Sequence, residues 1–579
     1  MKEKVLFTIA LAVIFVTALT AAGLSAAAGG EEIELKIAIH SDENTLTPFT
    51  YVRGTGLEVL RLIYDSLFIF DALNQPLPWM VSDYGVEKGH TVYHLTLLPD
   101  QFWHDGAALT ADDVAFSFTY PLSQPHARWQ RMAAMIESVE VTGELTLTIR
   151  LKKGNPDFIP LVLADLPIIP RHIYEGEKDA KLVRGTIGSG PYRLAEYKEG
   201  QYYILEAVAG YFRGKPLVER IVLPIITDRA AIFQALRAGS LDAATANLPP
   251  ELVGEFEAVE EINIASGPGL ATTLLQFNNE FYPFNLPEMR KAVALALDLQ
   301  ELVNIILLGF GDPGSLGFFH PAGFLGSAAF VPERNLDRSN ELLDGLGFLR
   351  RGDIRVDDQG RPLSFDLLTQ ADNPLRIRTA ELIARQLSAV GIEIEVVSME
   401  SNTLDDRVWP EFDVSQGRNY ALTLWGWSAP LQLRSEALVQ LFASAYDQGS
   451  FNIGGFADDE FDLLAERLAN EIDQDRRRLI IDEMQRLIAE KIPMIPLYYQ
   501  QVIMAYRPAA YDGYILQQGS GIINKMSFLP GFTRESAWRE ADNNEPKRSN
   551  ITAYILTAVL IVVVIAVVKA SRRGKSHAD

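Results

Sequence analysis

The sequence predicts a mixed α/β protein, and three observations carry that expectation. A helix-spaced run from Leu375 to Val390 stops at Gly391 and passes at once into GIEIEVV, where Ile392, Ile394 and Val396 alternate with Glu393 and Glu395. Helix, glycine and alternating strand in that order make the basic α/β step. The same alternation recurs at Leu35, Ile37, Ile39 and at Leu145, Leu147, Ile149. Finally, 579 residues exceed one ordinary core, so roughly two or three globular units are expected.

The ends of the chain read differently from its body. Met1 to Gly30 has the form of an export signal: Lys2 and Lys4 start it, Val5 to Leu19 form its apolar centre, and Ala26-Ala27-Ala28 supply small residues for cleavage. An uncleaved signal anchor is the alternative, and both place the body outside. Near the other end, the run from Ile551 to Val568, ITAYILTAVLIVVVIAVV, is apolar for roughly eighteen residues, enough for one transmembrane helix. Lys569, Arg572, Arg573 and Lys575 follow it and favour the cytoplasmic side, making residues 569–579 a cytoplasmic tail. The polar stretch 531–550 reads as a stalk. The expected localisation is the cell membrane, with a single-pass C-terminal anchor and an extracytoplasmic, monomeric body.

Composition narrows the function classes. A hydrophobic content of 48% with 22% charged residues describes a folded interior rather than a disordered or multi-span chain. The formal net charge of −23 would repel phosphate, which excludes nucleic acid as a partner. The absence of cysteine removes disulfides, thiolate metal sites, cysteine nucleophiles and a lipid anchor on an N-terminal cysteine. The C-terminal apolar run supplies the missing tether.

Within the body, the strand at Leu35–Ile39 leads into the polar loop His40-Ser41-Asp42-Glu43-Asn44, then into a helical spacing of Leu57, Leu60, Ile63 and Tyr64. A hairpin-like strand alternates Val92, His94, Thr96 with Tyr93, Leu95, Leu97. Asp105-Gly106 is a turn pair, and Thr110 with Asp113 forms a capping box for a helix through Val114, Phe116 and Phe118. Beyond the proline-bounded LPIIPRHIY, the turn GTIGSGPY feeds another strand. Asp228 and Asp298 are helix caps, Pro287 opens a helix, and Gly239 and Gly309 end two of them. ADDEFDLLAERLA and DRRRLIIDEMQRLIAEK are amphipathic helices with acidic starts, followed by the strand IPMIPLYYQQVIMAY.

Catalytic motifs are absent. His104-Asp105 lies on a turn where neighbours rarely pair, Ser189 in GTIGSGP makes no G-x-S-x-G elbow, and no H-E-x-x-H occurs. His90 and His94 have no third ligand in view, so no metal site is expected. The sequon at Asn550 abuts the apolar run and is discounted. Neither an enzyme nor a cofactor is expected.

An ordered set of motifs carries a resemblance. RLIYDSLFIFD, YHLTLLPDQFWHDGAALTADDVAFSF, IGSGPYRLAEYKEG, Gly214-Lys215-Pro216, MRKAVALALDLQELV and EKIPMIPLYY follow one another between Ile33 and Leu516. The chain resembles the extracytoplasmic solute-binding proteins of ABC importers, of the oligopeptide/dipeptide/nickel type (family 5). That resemblance implies a two-lobed periplasmic-binding-protein fold with an extra inserted domain. Mapped here, residues 31–57, 180–269 and 492–530 would form lobe I, 58–179 the inserted domain and 270–491 lobe II. Two lobes would close on a small solute and present it to the transmembrane subunits of an ABC permease.

The resemblance also implies where ligand binds. Trp425-Gly426-Trp427 follows the apolar Ala421-Leu422-Thr423-Leu424 and matches a stretch that lines the cleft in the family. Peptide-binding members usually place an aspartate three residues after the second tryptophan, to meet the peptide's α-ammonium; here that residue is Pro430. Another acid, Asp42, Glu43 or Glu436, then takes that role, with Asn44 beside the first two, or the ligand is uncharged there. Peptide and oligosaccharide both remain open, since tryptophan stacks on either. An anchored extracellular hydrolase and an adhesion or signalling ectodomain are the alternatives from other classes. Alanine at Trp427 is expected to weaken binding at least about tenfold with little change in stability.

Overall fold

The computed structural model describes residues 33–534, apart from 52–53, 125–126, 184, 328–329 and 445–449. The expected signal, the apolar run at 551–568, the tail and most of the stalk lie outside the described residues. No helix among the described residues is long and apolar enough to cross a membrane. The chain divides into two compact units, Met1–Gly531 and Phe532–Asp579, and every strand and helix below belongs to the first.

Two large sheets organise that unit. One has seven strands in the order Asn263–Gly267, Val502–Tyr506, Ala243–Ala244, Glu34–Ala38, Arg220–Pro224, Tyr202–Ala207, Tyr192–Lys198. The other has six: Gly311–Pro313, Met494–Gln500, Thr272–Phe277, Leu422–Trp427, Ser364–Gln370, Glu393–Met399. A third, antiparallel sheet of four strands (Val81–Val86, Val92–Leu97, Thr146–Leu151, Ile136–Gly143) is built wholly from the stretch between the first two strands of the seven-stranded sheet's chain order.

The α/β step read at Gly391 is present: Ser364–Gln370, the helix Pro374–Ser388 and Glu393–Met399 form a parallel unit, in register from Ser364↔Glu393 to Gln370↔Met399. Asn373 caps its helix by accepting the Arg376 N–H at 3.1 Å, with Pro374 at the first helical position. Asp228 accepts from Ala230 N–H at 2.8 Å, and Asp298 from Glu301 N–H at 2.8 Å. Asp113 accepts the Thr110 N–H at 3.0 Å, as the capping box requires. Helices on the six-stranded sheet bury two apolar layers, Leu367, Ile383 and Leu422 on one face and Leu274, Leu368 and Met484 on the other.

The chain passes between the large sheets twice, from Gly267 to Thr272 and from Gln500 to Val502. A Cβ at Gly269 would collide with the Gln500 carbonyl oxygen, so only glycine lets the two crossings run side by side. Asn247 ties the second one down, donating to Gln501 O at 3.3 Å and accepting from Ile503 N–H at 2.8 Å.

The second crossing corrects one sequence boundary. The sequence groups 492–530 together, but Met494–Gln500 pairs with Thr272–Phe277 and Gly311–Pro313 in the six-stranded sheet, and only from Val502 does the chain join the other sheet. Both strands are buried along almost their whole length, so no alternation marks where one sheet ends.

Where the third sheet joins the seven-stranded one, the Lys525 ammonium meets the Asp65 carboxylate with both side chains buried. Trp79 Nε1–H (3.0 Å), Tyr211 O–H (2.9 Å) and Ser189 O–H (3.2 Å) also donate to Asp65. Beside this pair lies a cavity of about 50 Å³, lined in part by Glu58, Tyr64, Phe70 and Gln517. Burial pushes the Glu58 carboxyl up to about 8, against a smaller opposing effect of Arg61. The folded chain thus holds this proton more tightly than the unfolded one. The associated stability is full below the ordinary glutamate value of 4.5 and is lost as pH rises towards 8. Glu58→Gln is therefore expected to gain on the wild type between pH 5 and pH 8 in urea denaturation; parallel pH profiles would show that Glu58 titrates normally.

Candidate ligand-binding site

Ser364–Gln370 runs parallel to both Glu393–Met399 and Leu422–Trp427, so the carboxyl ends of three strands share one edge of the six-stranded sheet. Ligands of α/β sheets characteristically bind beyond such an edge. From the first strand the chain turns into Arg376, from the second into the helix Ser401–Val408 and Trp409, and from the third into the 3-10 turn Ala429–Leu433 and Arg434.

Trp425 and Trp427 lie on one face of the last strand, each only 9% exposed. The Trp427 ring packs edge-on to Trp409 (6.0 Å) and Trp425 (6.3 Å), and 5.4 Å from Phe451. Its indole Nε1–H is buried and finds no acceptor among the described residues. Gly426 presents bare backbone to the opposite face, and a Cβ there would collide with the Arg376 guanidinium. Arg376 donates to Gln370 Oε1 at 2.8 Å, and among the described residues no carboxylate stands within ion-pair distance of it. Burial pushes this guanidinium below the usual arginine range, with Tyr498, Asp372 and Asp405 opposing from further off. An arginine in the first turn of a helix also runs against the helix dipole. The site therefore holds a desolvated cation and an unsatisfied N–H donor at the end of one strand.

Other residues reach this edge from across the molecule. Arg378, two positions on, pairs with Glu251 of the seven-stranded half at 3.2 Å. Asp157, beyond the four-stranded sheet, accepts from Ser435 Oγ and from Arg477 Nη2, both at 2.6 Å, and Gln474 donates to Pro156 O at 3.0 Å.

The residues singled out in sequence divide into two groups. Trp425, Trp427 and Glu436 stand at this strand end. Asp42, Glu43 and Asn44 lie past Glu34–Ala38 in the other sheet, and no described hydrogen bond, ion pair or ring contact joins the groups. Asp42 is fully engaged: it accepts from Tyr203 O–H (2.6 Å), Gly200 N–H (2.6 Å), Tyr197 O–H (2.9 Å) and Asn44 N–H (2.9 Å). Burial raises its carboxyl, but those four bonds together outweigh it and hold the group below the usual aspartate range. Glu43 is buried against Gly56 at the start of the helix Gly54–Ile63 and accepts from Ser41 Oγ. Asn44 sits at φ 56° and donates to Thr50 O at 3.1 Å. These three contacts build the turn. Glu436 opens the helix Glu436–Phe442; burial, then Asp157, raises its carboxyl against Arg434, Arg477 and Lys153.

Residues set aside as catalytic or metal candidates have structural partners. His104 accepts from Gly188 N–H at 3.2 Å on Nδ1 and donates to Gly190 O at 3.0 Å from Nε2. His94 bonds Glu87 and Thr148, each at 3.0 Å. Arg376 and Arg434 were not among the sequence candidates. The signal for Arg376 was local: a cation in the first turn of a helix that begins directly after a parallel strand.

Residues 75–449 match the family of bacterial extracellular solute-binding proteins, family 5 Middle. The chain belongs to that family. Its members are non-enzymatic transport receptors, so the chain's role is recognition rather than catalysis. Among curated family members, the oligopeptide-binding protein AppA of Bacillus subtilis is 28% identical over 448 residues, covering 74% of this chain and 78% of its own. The dipeptide-binding protein DppE of the same organism is 25% identical over 500 residues, covering 81% and 87%. Among solved structures, the substrate-binding protein CtaP of Listeria monocytogenes superposes with a TM-score of 0.74 at 21% identity, over 87% of this chain and all of that one. AppA of Bacillus subtilis in complex with a nonapeptide gives 0.63 at 23% identity, over 82% and 94%. The two-lobed α/β binding-protein fold is thereby shared.

The burial of Trp427 corrects an expectation about its removal. A ring packed against Trp409, Trp425 and Phe451 cannot be cut to alanine without cost, and about 3–5 kcal/mol is expected. Trp427→Phe keeps most of that packing but loses the Nε1–H. We expect it to weaken ligand binding about tenfold in titration calorimetry, with a much smaller fall in melting temperature than alanine causes. Unchanged affinity would remove Trp427 from the site.

Proposed function

We propose that this protein is the receptor of an ABC import system, held at the outer face of the cell membrane by residues 551–568. It captures a peptide-sized solute that carries a carboxylate and delivers it to the permease when its lobes close. The observation that carries this reading is Arg376, a desolvated guanidinium with no carboxylate partner among the described residues, set across Gly426 from the face that bears Trp425 and Trp427. A buried cation is costly until a counter-charge reaches it, so a ligand carboxylate gains there what an uncharged sugar cannot. The names of the curated relatives, oligopeptide- and dipeptide-binding proteins, support the same solute class.

The paired crossings at Gly269 and Gln500–Val502 are the natural hinge. A solute touching both halves stabilises the closed form by the contacts it makes only there. A thermal-shift screen of the full-length chain with di- to pentapeptides and β-linked oligosaccharides tests the solute class, because bound ligand raises the melting temperature. Peptides are expected to give the shift; a shift with oligosaccharides alone would overturn the reading. Deleting residues 551–568 is expected to release the protein from cell membranes into the soluble fraction, and retention would contradict the anchor.

A further inference from the structure

The chain crosses between the two large sheets beside Gly269 and at Gln500–Val502, so a hinge there obliges contacts made elsewhere between the halves to break on opening. The four-stranded sheet travels with the seven-stranded half. Trp79, just before the first of its strands, and Tyr211 both donate to Asp65, which is paired with Lys525. One contact from this side to the six-stranded half is more than a surface ion pair.

It is a closed triangle of hydrogen bonds. Asp157 accepts from Ser435 Oγ–H and from Arg477 Nη2–H, both at 2.6 Å, and the same Nη2 donates to Ser435 Oγ at 3.0 Å. Ser435 lies two residues past the turn Ala429–Leu433, and Arg477 is in the first turns of the helix Gln474–Lys491, so both belong to the six-stranded half. Asp157 alone comes from the other. The Arg477 side chain is 6% exposed and that of Asp157 17%, so the two charges meet largely out of water. Gln474, one turn before Arg477, adds its bond to Pro156 O at 3.0 Å. The Arg378–Glu251 pair also spans the halves, but both its side chains are about half exposed, where such a pair contributes little.

Each side of the triangle is set before the other arrives. Arg477 Nη1 donates to the Leu468 and Glu471 carbonyls of its own half, at 2.7 and 3.1 Å. The turn that carries Asp157 is fixed by its N–H on Asn155 Oδ1 at 3.0 Å and by Tyr93 O–H on Asn155 O at 2.6 Å. Groups already in place lose little freedom on meeting, and charge-assisted bonds are the strong kind. We propose that this triangle is a clasp, made when the halves close and broken when they open. Asp157 is then a positioning residue that sets how long the solute is held, acting through Ser435 and Arg477 rather than through the solute. The inference rests on the reading of a receptor whose halves close, and it adds a contribution to closure that belongs to the protein alone.

Distances between spin labels on cysteines introduced at Leu217 and Leu349 test this in the full-length chain with no solute present. Without a change at the clasp, two populations are expected, one at the spacing of the described structure and a longer one. Asp157→Asn keeps the shape, removes the charge and should cut the first population at least about fivefold. Ser435→Ala should cut it less, and Asp157→Glu, which restores a carboxylate, should recover part of it. Should Asp157→Asn fold poorly, Ser435→Ala carries the test in the same direction. Variants that melt earlier but leave the distances alone would mark a fixed interface and overturn the clasp. So would a chain with the clasp intact that never shows the shorter spacing. If the clasp fails while di- to pentapeptides still shift the distances, the receptor reading stands; if neither peptides nor Asp157→Asn moves them, both are overturned.

Discussion

Asp65→Ala is expected to destabilise the protein by about 3–5 kcal/mol, the cost of leaving one member of a buried ion pair without its partner. The Lys525 ammonium is 5% exposed and touches the Asp65 carboxylate and the Tyr64 carbonyl at 3.1 Å. Burial already pushes this lysine below its usual range, and Asp65 supplies the opposing pull. Removing Lys525 instead should be milder. In Lys525→Met the Asp65 carboxylate keeps its bonds from Trp79, Tyr211 and Ser189, so part of its charge remains solvated by protein. The pair joins the end of the helix Gly54–Ile63, the turn at Ser189 and the last helical turn Lys525–Phe528, so its loss should loosen all three together. Urea denaturation of the two single variants and the double variant reads this out. A larger loss for Lys525→Met than for Asp65→Ala would show that the carboxylate, not the ammonium, is the harder group to bury alone.

Arg376→Met is expected to move affinity and stability in opposite directions. A guanidinium held among the described residues by Gln370, with no carboxylate among them at ion-pair distance, costs the empty receptor free energy, and a methionine fills similar space without charge. The empty protein should therefore melt at the same or a higher temperature. Ligand binding loses a buried charge-assisted bond, typically about 2–5 kcal/mol, and should fall at least about thirtyfold. Calorimetric titration beside a melting curve separates this from general damage, which would lower both. Unchanged affinity would mean that the carboxylate goes elsewhere.

Local features were legible in the sequence because they depend on neighbours a few residues away. Asp228, Asp298 and the step at Gly391 are of that kind, and each capping bond or parallel pairing expected from them is present. The family followed from ordered motifs, and the Trp425-Gly426-Trp427 strand lies at a carboxyl edge where an α/β sheet can bind ligand. What could not be read was set by distant partners. Asp42 looks like a free acid in a polar loop, but its donors Tyr197, Gly200 and Tyr203 come from a strand pair and its turn more than 150 residues away. Trp427 reads in sequence as a cleft-lining residue whose loss costs little stability, yet Trp409 and Phe451, on separate segments, enclose it. The change of sheet after Gln500 is marked in the sequence by the Gln500-Gln501 pair alone, since apolar residues continue on both sides.

A distance measurement between the two halves tests the central claim most directly. The chain contains no cysteine, so single cysteines introduced at exposed Leu217 and Leu349 can be spin-labelled without background. With the solute that most raises the melting temperature, the distance distribution is predicted to shift to a new, narrower one, and Arg376→Met is predicted to stay unshifted at the same concentration. An unchanged distribution with saturating solute would contradict a receptor that works by closing.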